Sequence, residues 1–477
     1  MGALRNIFFG AVTLLIAFSY QAYRDITKPY PKPDLDVKEF WGPGDGKDYK
    51  ELHQFKPFKI SYSSEVIKRL MDRLDDVQVI TDPLEDTAFE YGFNANRLRE
   101  ILSYWKGEYL PKWKEREAFL NQFPQYKTKI QGLDIHFIHA KPKATENTKV
   151  YKLLLLHGWP GSVREFYDII PLLTKPSKEN IAFEVVAPSL PGYGWSQGSA
   201  KQGLGPLKMS VILRNLMIKL GFEKFYIQGL LLFSFKTNRI ALKVFVNLGG
   251  DWGSLIGSNM ATMFPENVLG YHSNMCGVNS PLANIKTAIA SFYPSWFIEE
   301  EKLINWIYPF TPKFMDLLQE SGYMHIQATK PDTIGVALQN NPVGLAAYII
   351  EKFSTWTNSE YRKLVDGGLE KYFTLDALLD NIMIYYLTNS ITTSVRIYKE
   401  AFPEMAEYNM DRVPLTIPSA CAHYKYEIMH QPDFILKDKF INMVHTSYFD
   451  DGGHFAAMQL PKIMYEDFTE FVEKTLV

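Results

Sequence analysis

Gly249-Gly250-Asp251-Trp252-Gly253-Ser254 is the stretch whose reading decides the fold. Small residues flank a single acid, an apolar run (Val244-Phe245-Val246) precedes it, and a helix-like segment from about Ser254 to Phe264 follows. This reads as a sharp strand-to-helix turn of the nucleophile-elbow kind, in which a residue held in a strained backbone conformation is exposed at the carboxyl end of a strand. The nucleophile here would be a carboxylate. Asp is a poor match to ordinary ester or amide hydrolysis, yet it can form a covalent ester with an electrophilic carbon. The bland reading is a Gly-Asp turn with a solvated acid, because such pairs are common in turns.

The chain around the elbow alternates strand-like and helix-like segments. Tyr151 to Leu156 is a short buried-strand run that ends in His157-Gly158-Trp159-Pro160-Gly161-Ser162, and Val163 to Leu173 is helix-like. Phe183 to Pro188 reads as a strand, Met209 to Leu220 as a helix and Phe225 to Ile227 as a strand. Such alternation predicts an α/β fold with a mostly parallel central sheet and a site at the carboxyl ends of its strands. From about Pro281 to Met405 the alternation gives way to helix-like, aromatic-rich stretches, which read as a cap over the sheet. Strands near Leu415 to Ala420 and Met443 to Phe449, then a helix from Pro461 to about Thr475, complete the core. Leu133 to Ala140 alternates apolar and polar residues, so His136 and His139 are expected on opposite sides of a half-exposed strand rather than on a metal.

With 477 residues the chain is long enough for a large core plus an inserted domain. A net charge of −2 and the lack of a long basic run give no footprint for nucleic acid, and a small apolar substrate fits better. The two cysteines, Cys276 and Cys421, belong to no metal-ligand pattern and are expected as free thiols in a reducing compartment. Ile7 to Tyr20 is an uncharged apolar run, read as an uncleaved N-terminal membrane anchor. Arg24, Lys28, Lys32 and Lys38 after it place the body on the cytosolic side. Pro29, Pro31 and Pro33 then lead into an extended meander, and Ser64 to Leu74 and Asn94 to Glu115 show helical spacing. The expected division is an anchor over 1–24, a meander with packing helices over 25–125, a first core part over 126–280, a helical cap over 281–408 and a second core part over 409–477.

At this point the sequence resembles the microsomal epoxide hydrolase family of α/β-hydrolases, which includes the insect juvenile hormone epoxide hydrolases. The resemblance runs over nearly the whole chain. It rests on the N-terminal anchor, Trp41-Gly42-Pro43-Gly44, His157-Gly158-Trp159-Pro160, Gly250-Asp251-Trp252-Gly253, Ser321-Gly322-Tyr323-Met324-His325-Ile326-Gln327, Arg396-Ile397-Tyr398-Lys399-Glu400 and Gly452-Gly453-His454-Phe455-Ala456-Ala457. It implies Asp251 as nucleophile, His454 as base and Glu427 as the acid that orients it. Spacing alone leaves Asp433, Asp450 and Asp451 as competitors for that last role. It also implies Tyr323 and Tyr398 as the pair that hydrogen-bonds the epoxide oxygen, two among 28 tyrosines. The His157 to Pro160 stretch matches the oxyanion-hole loop, with backbone N–H groups near Trp159 and Trp252 as donors. No metal or organic cofactor is implied. The location implied is the endoplasmic reticulum membrane, with the body facing the cytosol.

One departure stands out. The family pattern runs Tyr-Ile-Gln-Gly straight into Gly-Asp-Trp-Gly, whereas here Tyr226-Ile227-Gln228-Gly229 is separated from Gly250-Asp251 by the 20 residues Leu230 to Gly249. Deleting them restores the motif without a seam, as an unspliced in-frame intron would leave it. Either Phe225 to Gly229 keeps the strand and the extra residues bulge, or Phe245 to Gly250 takes over the strand. The second is expected, because a structureless loop of that length is unfavourable inside a compact domain.

The resulting expectation is an enzyme that turns apolar epoxides into vicinal diols through an alkyl-enzyme ester on Asp251. Two other readings stand beside it: a haloalkane dehalogenase-like hydrolase, which would need halide donors in place of the tyrosine pair, and an inactive protein that binds apolar ligands because the insertion spoils the elbow.

Overall fold

The computed structural model describes residues 2–76, 79–229 and 251–476. Among these residues the strands are β1 (Lys56–Phe58), β2 (Gln125–Ile130), β3 (Leu133–Ala140), β4 (Lys149–Leu156), β5 (Ile181–Pro188), β6 (Phe225–Gly229), β7 (Val268–Ser273), β8 (Ser419–Tyr424) and β9 (Met443–Phe449). They form one sheet in the order β1-β2-β3-β5-β4-β6-β7-β8-β9. The pairs from β1 to β5 through β2 and β3 are antiparallel, and every pair from β5 to β9 is parallel. Leu153 to Leu156 and all of β5 are buried, because parallel strands joined by helical crossovers are covered on both faces.

The predicted α/β architecture is present, and several details of it differ. β3 is buried along most of its length rather than half-exposed. His136 lies in the interior with Nδ1 2.9 Å from Ser189 Oγ and Nε2 2.8 Å from Gln125 Oε1, and the rings of Phe58 and Trp195 pack against it. The polar positions of β3 are thus matched by internal partners, so polarity did not mean exposure there. β8 begins at Ser419, and Leu415 makes only an isolated bridge to Phe440, since Pro414 and Pro418 have no N–H to donate to a ladder.

The strand before the elbow is Phe225–Gly229, paired with β4 on one side and β7 on the other, so the expectation that Phe245 to Gly250 takes its place is overturned. Tyr226 and Ile227 are buried on the two faces of the sheet centre, which is the stronger anchor. A Cβ placed on Gly229 would lie 2.5 Å from the carbonyl oxygen of Gly253. The end of β6 and the start of the elbow helix therefore lie side by side, as they would if the chain passed directly from one to the other. Residues 230–249 themselves lie outside the described residues.

Cys276 and Cys421 form a disulfide, which corrects the expectation of free thiols. Cys421 stands on β8 opposite Ser273 of β7, and Cys276 follows β7 by three residues, so strand pairing brings the two Cα atoms to 5.9 Å, within bridging range. No sequence spacing of 145 residues could show that.

The N-terminal segment Gly2–Thr27 is one helix that stops ahead of Lys28-Pro29. Arg412 caps its carboxyl end by donating to the carbonyls of Asp25, Ile26 and Lys28. Among the described residues no helix is long and apolar enough to cross a membrane. The apolar run from Ile7 to Tyr20 falls short of the about 20 residues a span requires, and polar groups flank it. Between β7 and β8 run helices including Pro281–Ala290, Gly322–Thr329, Pro342–Thr355, Leu375–Thr388 and Ile391–Tyr408, which bring Tyr323, Trp356 and Tyr398 over the carboxyl ends of β4 and β6.

Candidate active site

Four loops at the carboxyl ends of parallel strands converge on Asp251: the one after β4, the elbow itself, the one after β8 that carries Glu427, and the one after β9 that carries His454. Asp251 is the N-cap of the helix Trp252–Met263, with φ −73° and ψ 160°. These are ordinary extended values, so the strained backbone expected of an elbow nucleophile is absent, and the capping geometry alone turns the side chain towards the site. Only 2% of Asp251 is exposed.

Its two carboxylate oxygens have different surroundings. Oδ1 accepts hydrogen bonds from the backbone N–H groups of Trp159 at 3.0 Å and Trp252 at 2.6 Å. Oδ2 lies 3.4 Å from His454 Nε2. A Cβ on Gly158 would fall 1.4 Å from Oδ2, so glycine is required there for the carboxylate to fit at all. His454 Nδ1 is 2.9 Å from Glu427 Oε1, which also accepts from the N–H of Ile428 at 2.8 Å. Of the acids left open by spacing, Glu427 is the one on His454. Asp433 accepts from Tyr448, Asp451 from Tyr372, and Asp450 faces Lys302.

Tyr323 and Tyr398 stand over the carboxylate in an aromatic box. The Tyr323 ring stacks on Trp159 at 5.2 Å, and Tyr398 meets Trp252 edge-on at 4.7 Å. Their own ring centroids are 5.9 Å apart. Both hydroxyls are buried without a hydrogen-bond partner. A buried donor left unmatched costs about 1–3 kcal/mol, and a ligand oxygen placed between the two would remove that cost twice over. Burial, reinforced by the charge of Asp251, raises both phenols well above their ordinary value and keeps them protonated as donors. For His454 burial opposes the charge. The Glu427 carboxylate and the hydrogen bond to Asp251 outweigh it and raise its pKa from 6.5 to about 10.

Several residues that hold this site were not singled out from the sequence. Asn381 and Tyr385, one helical turn apart on Leu375–Thr388, donate to the carbonyls of Pro160 at 2.8 Å and Gly161 at 2.7 Å, clamping the loop that carries the Trp159 N–H. Their four-residue spacing was visible, but nothing local showed what the helix would face. The Trp356 carbonyl accepts from the His454 N–H at 3.0 Å. Glu165 is buried beside Gly161 with neither carboxyl oxygen partnered, and burial raises its pKa well above the usual carboxylate range. Among the described residues no group of His, Cys, Asp or Glu could hold a metal ion.

Asp380, next to Asn381 and wholly buried, accepts from Arg164 Nε at 3.0 Å, from Arg116 and from Tyr109 at 2.9 Å. It joins the oxyanion loop, the N-terminal helices and the helices above the sheet. Asp380→Asn removes the buried carboxylate that Arg164 and Arg116 share, leaving Arg164 with the more exposed Asp168 and Arg116 with Asp376, and is expected to destabilise the fold by about 3 kcal/mol. The denaturant midpoint of the variant measures this, and an unchanged midpoint would show that Asp168 and Asp376 suffice.

The family described as "Epoxide hydrolase N terminus" matches residues 55–166, and the one described as "alpha/beta hydrolase fold" matches residues 151–230. The chain is 47% identical to juvenile hormone epoxide hydrolase 2 of Ctenocephalides felis, over 95% of this chain and 92% of that protein. It is 44% identical to epoxide hydrolase 1 of Oryctolagus cuniculus, over 91% of this chain and 92% of that one. The crystal structure of juvenile hormone epoxide hydrolase from the silkworm Bombyx mori superposes with a TM-score of 0.86 at 44% identity, covering 93% of this chain and 99% of that chain.

Proposed function

Because the chain belongs to the epoxide hydrolase family of α/β-hydrolases, we propose that it converts apolar epoxides into vicinal diols through a covalent ester on Asp251. The observation that carries this reading is the division of labour at the Asp251 carboxylate. One oxygen is held by two backbone N–H groups, and the other, 3.4 Å from His454 Nε2, is the one left to attack in the aromatic box that carries two unpartnered tyrosine hydroxyls. The dehalogenase and inactive-binder readings are not favoured, since relatives matching over nearly the full length carry epoxide hydrolase names.

In the first step Asp251 Oδ2 attacks a ring carbon, the C–O bond breaks, and Tyr323 and Tyr398 hydrogen-bond the departing oxygen, which takes a proton from a tyrosine hydroxyl that is refilled by the proton His454 gives up. Esterification removes the negative charge of Asp251. The pull that holds the proton on His454 weakens with it, so the imidazole becomes available as a base. In the second step His454, oriented by Glu427, takes a proton from water, and the hydroxide adds to the ester carbon. The oxyanion forms on Oδ1, between the N–H groups of Trp159 and Trp252. Its collapse expels the alkoxide, which takes the proton of the new carboxyl group to become the diol, and this restores the carboxylate beside a protonated His454. The helices from Pro281 to Tyr408 act as a cap that keeps bulk water from the ester.

The tyrosine pair is tested by rapid mixing with an epoxide. Tyr398→Phe is expected to slow ester formation by about 100-fold, the usual effect of removing one donor to a developing oxyanion, and to leave ester hydrolysis unchanged. An unaltered first step would remove Tyr398 from the reaction.

The insertion bears on activity through the elbow. Removing Leu230 to Gly249 joins Gly229, which already lies against Gly253, directly to the elbow, and a small misplacement of a nucleophile can cost on the order of 100-fold. The shortened chain is expected to melt higher and turn over faster by about that factor. Equal stability and equal turnover would show residues 230–249 to be fully accommodated.

Association with the endoplasmic reticulum membrane through the helix Gly2–Thr27 belongs to the same proposal, with the body towards the cytosol. Phe9, Leu14, Ile16 and Phe18 are exposed on this helix, and the basic residues that follow support the orientation. The Cys276–Cys421 disulfide makes a lumenal body the alternative that the test must exclude. Protease added outside intact microsomes digests a cytosolic body and spares a lumenal one.

A further inference from the structure

The helix Pro281–Ala290 and the turn Pro294–Trp296 are fixed to the body by one side only. Ala283 and Ala290 are buried, and Lys286 Nζ reaches Asp438 at 2.5 Å and the Phe434 carbonyl at 3.1 Å. The opposite side carries Ile285, Ile289, Phe292, Tyr293 and Trp296, all exposed, with Phe292 at 78% and Trp296 at 76%, while Phe297 stacks on Phe434. Ile285 and Ile289 share a helical face, and Tyr293 stacks on Trp296 at 4.6 Å, so the patch is contiguous. Soluble proteins rarely expose so much adjoining aromatic surface without a partner.

We propose that this patch is a second membrane-contact surface, seated in the headgroup region of a neutral phospholipid bilayer. It rests on the membrane association proposed above and extends it from the terminal helix to the body of the enzyme. Three observations specify the occupant. Gly2–Thr27, with its own exposed apolar side chains, touches Pro281–Ala290, so the patch and that helix adjoin. The composition is that of an interface, with Trp and Tyr at its tip, where amphipathic rings sit at headgroup level. The acids Glu299, Glu300 and Glu301 follow it directly, which disfavours an anionic surface and selects zwitterionic lipid.

The placement serves the chemistry. A 170 Å³ cavity, walled by Thr287 of the same helix and by Trp306, Tyr308 and Phe314, extends inward to Trp356 and Glu427. With the patch in the interface this cavity opens beside the bilayer, where an apolar epoxide is concentrated.

The test uses the full chain and phosphatidylcholine vesicles, with and without bromine on the acyl chains. Trp296 is the one exposed tryptophan of nine, seven others being buried and Trp306 half-buried, so its emission is read by difference against Trp296→Phe. Quenching by brominated lipid that disappears in Trp296→Phe is expected. Phe292→Ser with Trp296→Ser is expected to weaken vesicle partitioning about 100-fold, as the loss of two lipid-buried aromatics requires, while hydrolysis of a water-soluble epoxide is unchanged. A chain that pellets with vesicles but shows the same quenching with and without Trp296 overturns the patch and leaves the terminal helix as the membrane contact. A chain that does not pellet overturns both. A lipid-free dimer that the double substitution splits into monomers makes a second copy of the chain the occupant and overturns the proposal too. The quenching, pelleting and oligomer readouts do not depend on the assignment of the reaction.

Discussion

Asp251→Ala is expected to form no covalent adduct with an epoxide and to lose turnover by about 10⁴-fold or more, as removal of a covalent nucleophile does. Two backbone N–H groups aim at Oδ1, which leaves Oδ2 of this residue as the attacking atom, so the attack has one origin. Glu165 is the nearby acid that could stand in, since its carboxyl is buried and unpartnered. Burial holds it neutral, and a neutral carboxyl is a poor nucleophile. Trapping the enzyme with excess epoxide at low pH, then digesting it and reading masses, places the adduct. A surviving adduct on Glu165 or elsewhere would sink the assignment of Asp251.

The His454→Gln enzyme is expected to behave in the opposite way: the ester forms and stays. Glutamine cannot take a proton from water, and loss of a positioned general base costs about 10²–10⁴-fold in the step that needs it. Single-turnover mixing should show epoxide consumed in a burst of one equivalent, with diol release slowed by that factor. Failure to form any ester would mean that His454 acts in the first step or only holds the loop. Stability gives a second reading. The folded pKa of His454 is raised to about 10 from an unfolded 6.5, so its charge stabilises the fold fully below pH 6.5, and that contribution is lost as pH rises through 10. The melting temperature of wild type should therefore fall across that window, relative to His454→Gln.

The sequence by itself determined the fold class and its punctuation. Alternating apolar runs and helical stretches required a parallel sheet, and Gly-Asp-Trp-Gly after a strand named the place where chemistry sits. Asp251 and His454 could be read because each follows a strand in an order that a parallel sheet converts into a common edge, whereas Glu427 rested on the family resemblance. Local rules suffice for this, since strand period and turn composition are properties of neighbours in the chain.

Only the tertiary structure decided the rest. Which acid meets His454, which helix clamps the loop of Trp159, and that Cys276 meets Cys421 all depend on contacts between segments far apart in sequence. His136 and Asp380 show why polarity misleads at that distance. Each is a polar or charged residue that would be read as exposed, and each is buried because partners from other segments satisfy it. The strand before the elbow was misjudged for a related reason. Phe225–Gly229 and Phe245 to Gly250 are both plausible strands taken alone, and pairing with β4 and β7 selects the first. A periodicity records what a segment can do; the free energy of burying it against particular neighbours decides what it does.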